Sequence, residues 1–511
     1  LLEARDKNLF GAITDDGAGG LSSSVGEMAQ ATNGFEMQLD KVPLKYAGLD
    51  PWQILVSESQ ERMTLAVDPK NWEEFSRLAK KHDVEVTAIG NFNDSGKFHT
   101  TYAGKAVTYI DMEFAHAGAP RMELKAEWRT PEGRGLREPQ LLESADRGAD
   151  LKKILGRINI AGKEYIQRQY DHEVLGSSIV KPLVGEGSEV FSDATVVRPV
   201  YDTDEGIAVA AGINPKYGII DTYWMAALGI DEAVRRIIAV GGSLKQIALN
   251  DNFCWPSPLP AAENPDAAYK MAQLVRANQA LYDFTMAYKT PCISGKDSMS
   301  MDGTLKKFDG TSTRLSALPT ILFSAAGKID DVKKCVTMDA KDSGDRVYVL
   351  GKTFDELGGS EFYEMRGHVG LNVPKVDASR SIELYAALSR AIAAGAVKSA
   401  HGIYKGGLAV GLAQIAFGGG RGLEIDIDKV AASEIESADK ILYSESASRF
   451  VVTVSSGNAE AFESMLADND IAFVGMVNDS GELKIRRKGE VVIREKISDL
   501  KAAWQSTFAN F

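Results

Sequence analysis

Cysteine is scarce in these 511 residues. Cys254, Cys292 and Cys335 are the whole set; they lie far apart with no CxxC pair, which excludes a disulfide framework. All three are expected to be reduced and mostly packed, Cys254 between Phe253 and Trp255 in particular. No apolar run approaches the roughly 20 residues that span a bilayer, so no membrane role is expected. The opening "LLEARDKNLF" has neither the basic start nor the apolar run of a signal peptide. Cytoplasm is the expected location, and the chain is expected to begin inside a longer polypeptide. Positive charge is also short: the net charge of −13 speaks against nucleic acid, whose binding needs clustered Lys and Arg. Phosphate compounds would have to be held by metal ions on carboxylates, by glycine-loop amides or by a few local cations. There is no GxSxG elbow, the six histidines lack HExxH spacing, and "GKDS" lacks the spacing of a P-loop.

What is present is a repeat. "ITDDGAGGLSSSVGEMA" at 13–29 starts as an apolar strand, puts two carboxylates at its tip, crowds three glycines together and then takes helical spacing. "AHGIYKGGLAVGLAQIAF" at 400–417 echoes it: Leu21, Val25, Met28 and Ala29 correspond to Leu408, Leu412, Ile415 and Ala416, each 387 positions later, on one helix face in both. The register holds from "VSESQERMTLAV" at Val56 to "YSESASRFVVTV" at Tyr443. Helices follow with Trp72, Phe75, Leu78 and Ala79 against Ala459, Phe462, Met465 and Leu466, and both copies then carry an NDSG turn. These are two copies of one unit, called B and B′, in which strands alternate with helices.

Between the copies the chain is first charged and loose and then helical over "DLKKILGRINIAGKEYIQRQYDHEV". A different unit, A′, follows: strand "GIAVAAG", helix "WMAALGIDEAVRRIIAVGG", strand "LKQIALN", a long helix carrying Met271, Leu274, Val275 and Leu281, and strand "PTILFSAAG". The expected division is B at 1–125, a linker with helices at 126–189, A′ at 190–332 and B′ at 333–503. The fold class is α+β, with duplicated B-type units around a β-rich A-type unit. The order B, A′, B′ implies a missing A ahead of B.

Three segments could carry chemistry. Asp15 and Asp16 are strand neighbours that point to opposite faces, so one of them enters a given site. The glycines after them let backbone approach a ligand. A phosphate would suit the helix N-terminus, a carboxylate there could hold Mg²⁺, and a tight turn with solvated acids fits equally. Glu58, Ser59 and Gln60 offer an anion and several hydrogen-bonding groups, as a polyol or amide ligand requires; a polar capping loop is the other reading. "NDNFCWPSP" at 250–258 and "SGKDSMSMDG" at 294–303 place short polar groups at strand ends, where open α/β layers bind ligands.

"TDDGAGGLSSSVGEMA", "DKVPLKYAGLDPW", "SESQERM", "DMEFAHAG", "QYDHEV", "DNFCWPSP" and "GKDSMSM", in that order, resemble the phosphoribosylformylglycinamidine synthase family over nearly the whole chain. The resemblance implies an AIR-synthase-like architecture and ATP-dependent amidation of formylglycinamide ribonucleotide, with ATP and Mg²⁺ as cofactors. By the same resemblance Asp15 is a Mg²⁺ ligand, Glu58, Ser59, Gln60 and Ser298 contact substrate, and Asp251 and Gly295 contact nucleotide. Lys296 departs from the family's shorter form, where a metal-binding Asn is usual. The family's catalytic histidine belongs to the A unit, so no general base is nominated here. The N-terminal half of the synthase and a glutaminase that supplies ammonia are the implied partners. The long form's second nucleotide position keeps Glu232, but Arg236 replaces an Asn, and Gly402, Tyr404 and Lys405 remove the carboxylates and hydroxyl of the turn. B′ is therefore expected to bind no Mg-nucleotide, with Arg236 or Lys405 supplying the lost positive charge. Shorter A–B enzymes of the same superfamily, such as selenophosphate synthetase or thiamine monophosphate kinase, and a non-catalytic scaffold half are the alternatives.

Overall fold

The computed structural model describes residues 1–170 and 172–510, in two compact units, Leu1–Glu123 and Leu124–Phe511. In the first unit, strand Ala12–Asp15 pairs antiparallel with Met63–Ala66, Asp15 opposite Met63. Helix Gly20–Met28 follows the glycine turn. A four-stranded sheet runs in the order Gly90–Phe92, Phe35–Gln38, Lys97–Tyr102, Lys105–Asp111. Leu21, Val25 and Ala29 on the helix pack with Phe35, Met37 and Phe98 from this sheet, the stripe that helical periodicity marks out.

The second unit contains two larger sheets. Six strands run in the order Cys292–Ser298, Ile247–Cys254, Thr320–Ile329, Gly206–Ile213, Thr195–Val197, Ser178–Val180. Helices Thr222–Ala239 and Ala267–Tyr288 belong to the same core. Strand Gly206–Ile213 alternates strictly, but with small residues inward (Gly206, Ala208, Ala210, Gly212) and Ile207, Val209 and Ile213 outward, 38–50% exposed. Along this strand the outward side of the sheet is thus apolar and open.

Seven strands form the other sheet, in the order Ser399–Gly402, Phe450–Val454, Arg346–Leu350, Ile471–Asn478, Gly422–Asp426, Glu482–Arg487, Glu490–Lys496. Gly402 lies opposite Phe450, the register that Asp15 and Met63 keep in the first unit. Arg346–Leu350 joins the two halves of this sheet; among the described residues of the first unit no strand fills that place, and its sheet stays in two pieces. Helix Gly407–Gly419 is buried almost all round, whereas Gly20–Met28 buries one side.

The structure adds detail to two readings and corrects a third. On the long helix Leu274 and Leu281 pack against the core and Val275 is exposed, while Ala272, Ala277, Ala280, Phe284 and Tyr288 point inward. Small residues there let the two long helices pack closely. The helical run in the linker is broken into Arg147–Leu155 and Glu164–Gln167; Gly162 between them lies against the Trp504 ring, with no room for a Cβ. Asp171 in the "QYDHEV" motif lies outside the described residues. Finally, the cysteines are not mostly packed: Cys292 is exposed and Cys254 half-buried, because strand alternation places Cys254 on the opposite side from buried Phe253 and Trp255.

Candidate functional site

The glycine bend of the first unit is built by four residues that recur in the second. Gly19 and Gly20 both take positive φ, 77° and 57°, as do Gly406 and Gly407, at 83° and 69°. L-residues avoid this conformation. A Cβ on Gly20 would collide with the Ser57 carbonyl, and one on Gly407 would lie 2.7 Å from that of Ser444. The Gly19 N–H donates to Glu58 Oε1 at 2.9 Å, and the Gly406 N–H to Glu445 Oε1 at 2.8 Å. Arg62 donates to the carbonyls of Ser59 and Ser57, at 3.0 and 2.5 Å. Arg449 does the same with Ser446 and Ser444, also at 3.0 and 2.5 Å. This arginine fixes the SES loop and escaped the reading of candidate residues, although it stands at the same place in "SESQER" and "SESASR".

The shared frame carries different surfaces. In the first bend Asp15 is exposed, with Oδ1 accepting the Gly17 N–H at 2.9 Å. Asp16 points inward and is buried, accepting from Thr64 Oγ1 at 2.6 Å while Thr64 meets Ser24 at 3.0 Å. The alternation argument therefore leaves Asp15 as the outward carboxylate. Ser24 and Thr64 were read only as part of a helix and an apolar strand; polar residues in those runs were the available signal. Glu58, Ser59 and Gln60 are exposed on the loop facing the bend, with Ser59 Oγ 2.9 Å from Ser57 Oγ and Gln60 Nε2 donating to the Glu58 carbonyl at 2.9 Å.

In the second unit Asp251 and Gly295 are direct partners across the parallel pair Ile247–Cys254 and Cys292–Ser298. A Cβ at residue 295 would come within 2.6 Å of Asp251 Oδ1, so glycine leaves the carboxylate its space. Burial pushes the Asp251 carboxyl above its ordinary value. Although Cys292 as a residue is exposed, partial desolvation of its thiol, followed by the neighbouring Asp251, pushes it up to about 11, so it is not an activated nucleophile. Ser298 lies three residues on along the same strand, and Lys296 Nζ donates to its Oγ at 2.8 Å.

The loop of the second bend is buried. Glu445 accepts from Gly406, from the Glu361 N–H at 2.9 Å and from the Tyr217 hydroxyl, and burial raises its carboxyl. Glu232, the one acid retained there, is paired with Arg236 at 2.7 Å and accepts from Asn214 Nδ2 at 2.9 Å. Burial would raise it, but the charges of Lys405 and Arg236 prevail and hold it at about 2.

Comparison with known proteins agrees with this duplication. The model for "AIR synthase related protein, C-terminal domain" matches residues 1–103 and again 342–488, and that for "FGAR-AT PurM_N-like domain" matches 162–328. Phosphoribosylformylglycinamidine synthase subunit PurL of Alkaliphilus metalliredigens is 32% identical over 501 residues, covering 96% of this chain and 63% of that protein. The subunit from Ignicoccus hospitalis is 33% identical, covering 96% and 64%. The structure of T. maritima PurL complexed with ADP superimposes with a TM-score of 0.56 at 20% identity, covering 93% of this chain and 65% of that one. Its complex with FGAR gives 0.54, also at 20% identity, over 93% and 63%.

Fold and bend geometry thus define an AIR-synthase-related chain with two C-terminal-type domains flanking one PurM_N-like domain. More narrowly, its similarity over nearly its whole length is to the PurL subunit of phosphoribosylformylglycinamidine synthase, and it spans just under two thirds of the length of the curated relatives it matches.

Proposed function

We propose that this chain supplies part of the active site for ATP-dependent amidation of formylglycinamide ribonucleotide to the amidine, in de novo purine synthesis in the cytoplasm. The observation that carries the proposal is the first bend. An outward carboxylate, a helix start without a side-chain cap and a polar SES loop are held together by Glu58 and Arg62. In the reaction the amide oxygen takes the γ-phosphoryl group of ATP and ADP leaves; ammonia then adds to the same carbon and the oxygen departs with phosphate. The protein's share is alignment, charge neutralisation and exclusion of water.

Among the described residues no three His, Cys, Asp or Glu side chains gather as a metal cage. That fits Mg²⁺, which is commonly held by one or two carboxylates together with substrate phosphates and water. Asp15 would hold it, with Oδ2 free while Oδ1 braces the turn, and Mg²⁺ would neutralise phosphate charge there. Glu58, Ser59, Gln60 and Ser298 are the substrate-contacting residues of this proposal. Asp251 and Gly295 contact the nucleotide.

The division into B (1–125), linker (126–189), A′ (190–332) and B′ (333–503) is the domain organisation we propose. The open apolar sheet face of Ile207, Val209 and Ile213 supports a partner in the form of an N-terminal half of the synthase, since exposed apolar patches of this kind mark interaction surfaces. A glutaminase would deliver the ammonia. The test combines the chain with its N-terminal complement, formylglycinamide ribonucleotide, Mg-ATP and ammonium, and follows ADP release. Substrate-dependent turnover is expected; tight association without turnover would contradict the proposal and favour a scaffold.

A further inference from the structure

Duplication gives this molecule two glycine bends, and the second is filled from within. Gly402 stands where the first copy has Asp15, and a Cβ there would run into the ring end of Tyr404. Tyr404, at the place of Gly17, thus lays its phenol across the volume into which the Asp15 side chain projects. Its hydroxyl donates to Asp193 Oδ1 at 2.6 Å. His401 Nδ1 lies 2.8 Å from Asp193 Oδ2, and the Gly402 N–H donates to Oδ1 at 3.0 Å.

Lys405, at the place of Ala18, donates to the Ile213 carbonyl at 2.8 Å and to Asn214 Oδ1 at 3.0 Å, and its Nζ lies 3.8 Å from Glu232 Oε2. Arg236 pairs with Glu232 Oε1 and covers the Tyr404 ring 4.0 Å from its centre. An ammonium group surrounded by two neutral oxygens and a carboxylate occupies the kind of oxygen nest that a hard cation would take. The residues therefore do not fit a metal-bound nucleotide at this bend.

We propose that the second bend is a self-liganded site: Lys405 and Arg236 are built-in cations held by Glu232, while Tyr404, anchored on Asp193, occupies the ligand volume, and the network clamps B′ to A′ without any phosphate ligand. The inference stands on the duplication and this network alone, so its failure would leave the proposed activity untouched.

The test is chemical rescue in the full chain. Lys405→Ala should lower the melting temperature by roughly 3–6 °C, because it withdraws one cation from buried Glu232. Methylammonium, small enough to enter the vacated place, should restore most of the loss, whereas tetramethylammonium at equal ionic strength should not. Lys405→Arg, which keeps the charge, should melt closer to wild type than Lys405→Ala. An unchanged melting temperature in Lys405→Ala, or equal rescue by both salts, would overturn the proposal. If Lys405→Ala does not yield folded protein, the wild-type chain crystallised with Mg-ADP decides: a second bend still filled by Tyr404 and Lys405 supports the clamp, and ADP or Mg²⁺ there overturns it.

Discussion

The two glycine bends share a backbone and differ in everything the backbone presents. Both keep the paired left-handed glycines, the carboxylate that takes the first glycine's N–H and the arginine that ties the SES loop. At the first, Asp15 and the loop Glu58–Gln60 face solvent; at the second, Glu445 and Ser446 are buried and Tyr404 and Lys405 close the mouth. Underneath, the first copy has the polar trio Asp16, Thr64 and Ser24, and the second has Ile403, Val451 and Gly411, whose Cβ position lies 3.9 Å from both Ile403 and Val451. One frame thus serves either as a ligand mount or as a packing joint, and the side chains at five or six positions decide which.

The largest effect should come from the mount. Asp15→Ala in the assembled enzyme should lower kcat/KM on the order of 100-fold, the scale of losing one essential electrostatic contact. Tyr404→Phe should leave turnover within about twofold. Steady-state ADP release measures both, and a comparable loss in the two would erase the distinction.

Stability should reverse the ranking. Glu445→Ala strips a buried acceptor from the Gly406 and Glu361 amides and the Tyr217 hydroxyl, and should cost about 3 kcal/mol in urea unfolding. Glu58→Ala at the exposed counterpart should cost under about 1 kcal/mol. Thr64→Val converts one member of the first copy's trio to the residue found at Val451. It should cost about 1–2 kcal/mol, since Asp16 loses its donor with no repacking around it.

The smallest expected effect is one of pH. Glu232 is held at about 2 against an ordinary 4.5, so its ionised form stabilises the fold above its unfolded value, and that contribution disappears as pH falls through its folded one. The stability gap between wild type and Glu232→Gln should therefore be widest near neutrality and narrow as pH drops from about 4.5 towards 2. A gap that grows on acidification would contradict this sign.

Spacing made the frame legible. A constant offset of 387 positions already aligned Gly20 with Gly407 and Glu58 with Glu445, and period-two and helical patterns located the strands and helices around them. On the long helix hydrophobicity ranks Val275 above alanine, yet close helix packing buries Ala272, Ala277 and Ala280 and leaves Val275 exposed. The outward Ile207, Val209 and Ile213 could not be told from core, since alternation fixes two faces without saying which is covered. At the site, the tip position of Asp15 was readable. The plug was readable as lost carboxylates with Arg236 or Lys405 in place of the cation; its wiring was not, because partners such as Asp193 and Asn214 lie roughly 190–210 residues from Tyr404 and Lys405 and meet them only in the folded A′–B′ joint.

The account turns on one bend being open to a metal-bound phosphate and its twin being closed. An anomalous-difference map of the assembled enzyme crystallised with Mn²⁺ and a non-hydrolysable ATP analogue addresses both at once. A manganese peak beside Asp15, with Lys405 and Tyr404 still seated on Glu232 and Asp193, is the predicted result. Manganese at Glu232 with Tyr404 displaced, or none at Asp15 while nucleotide is bound, would contradict it.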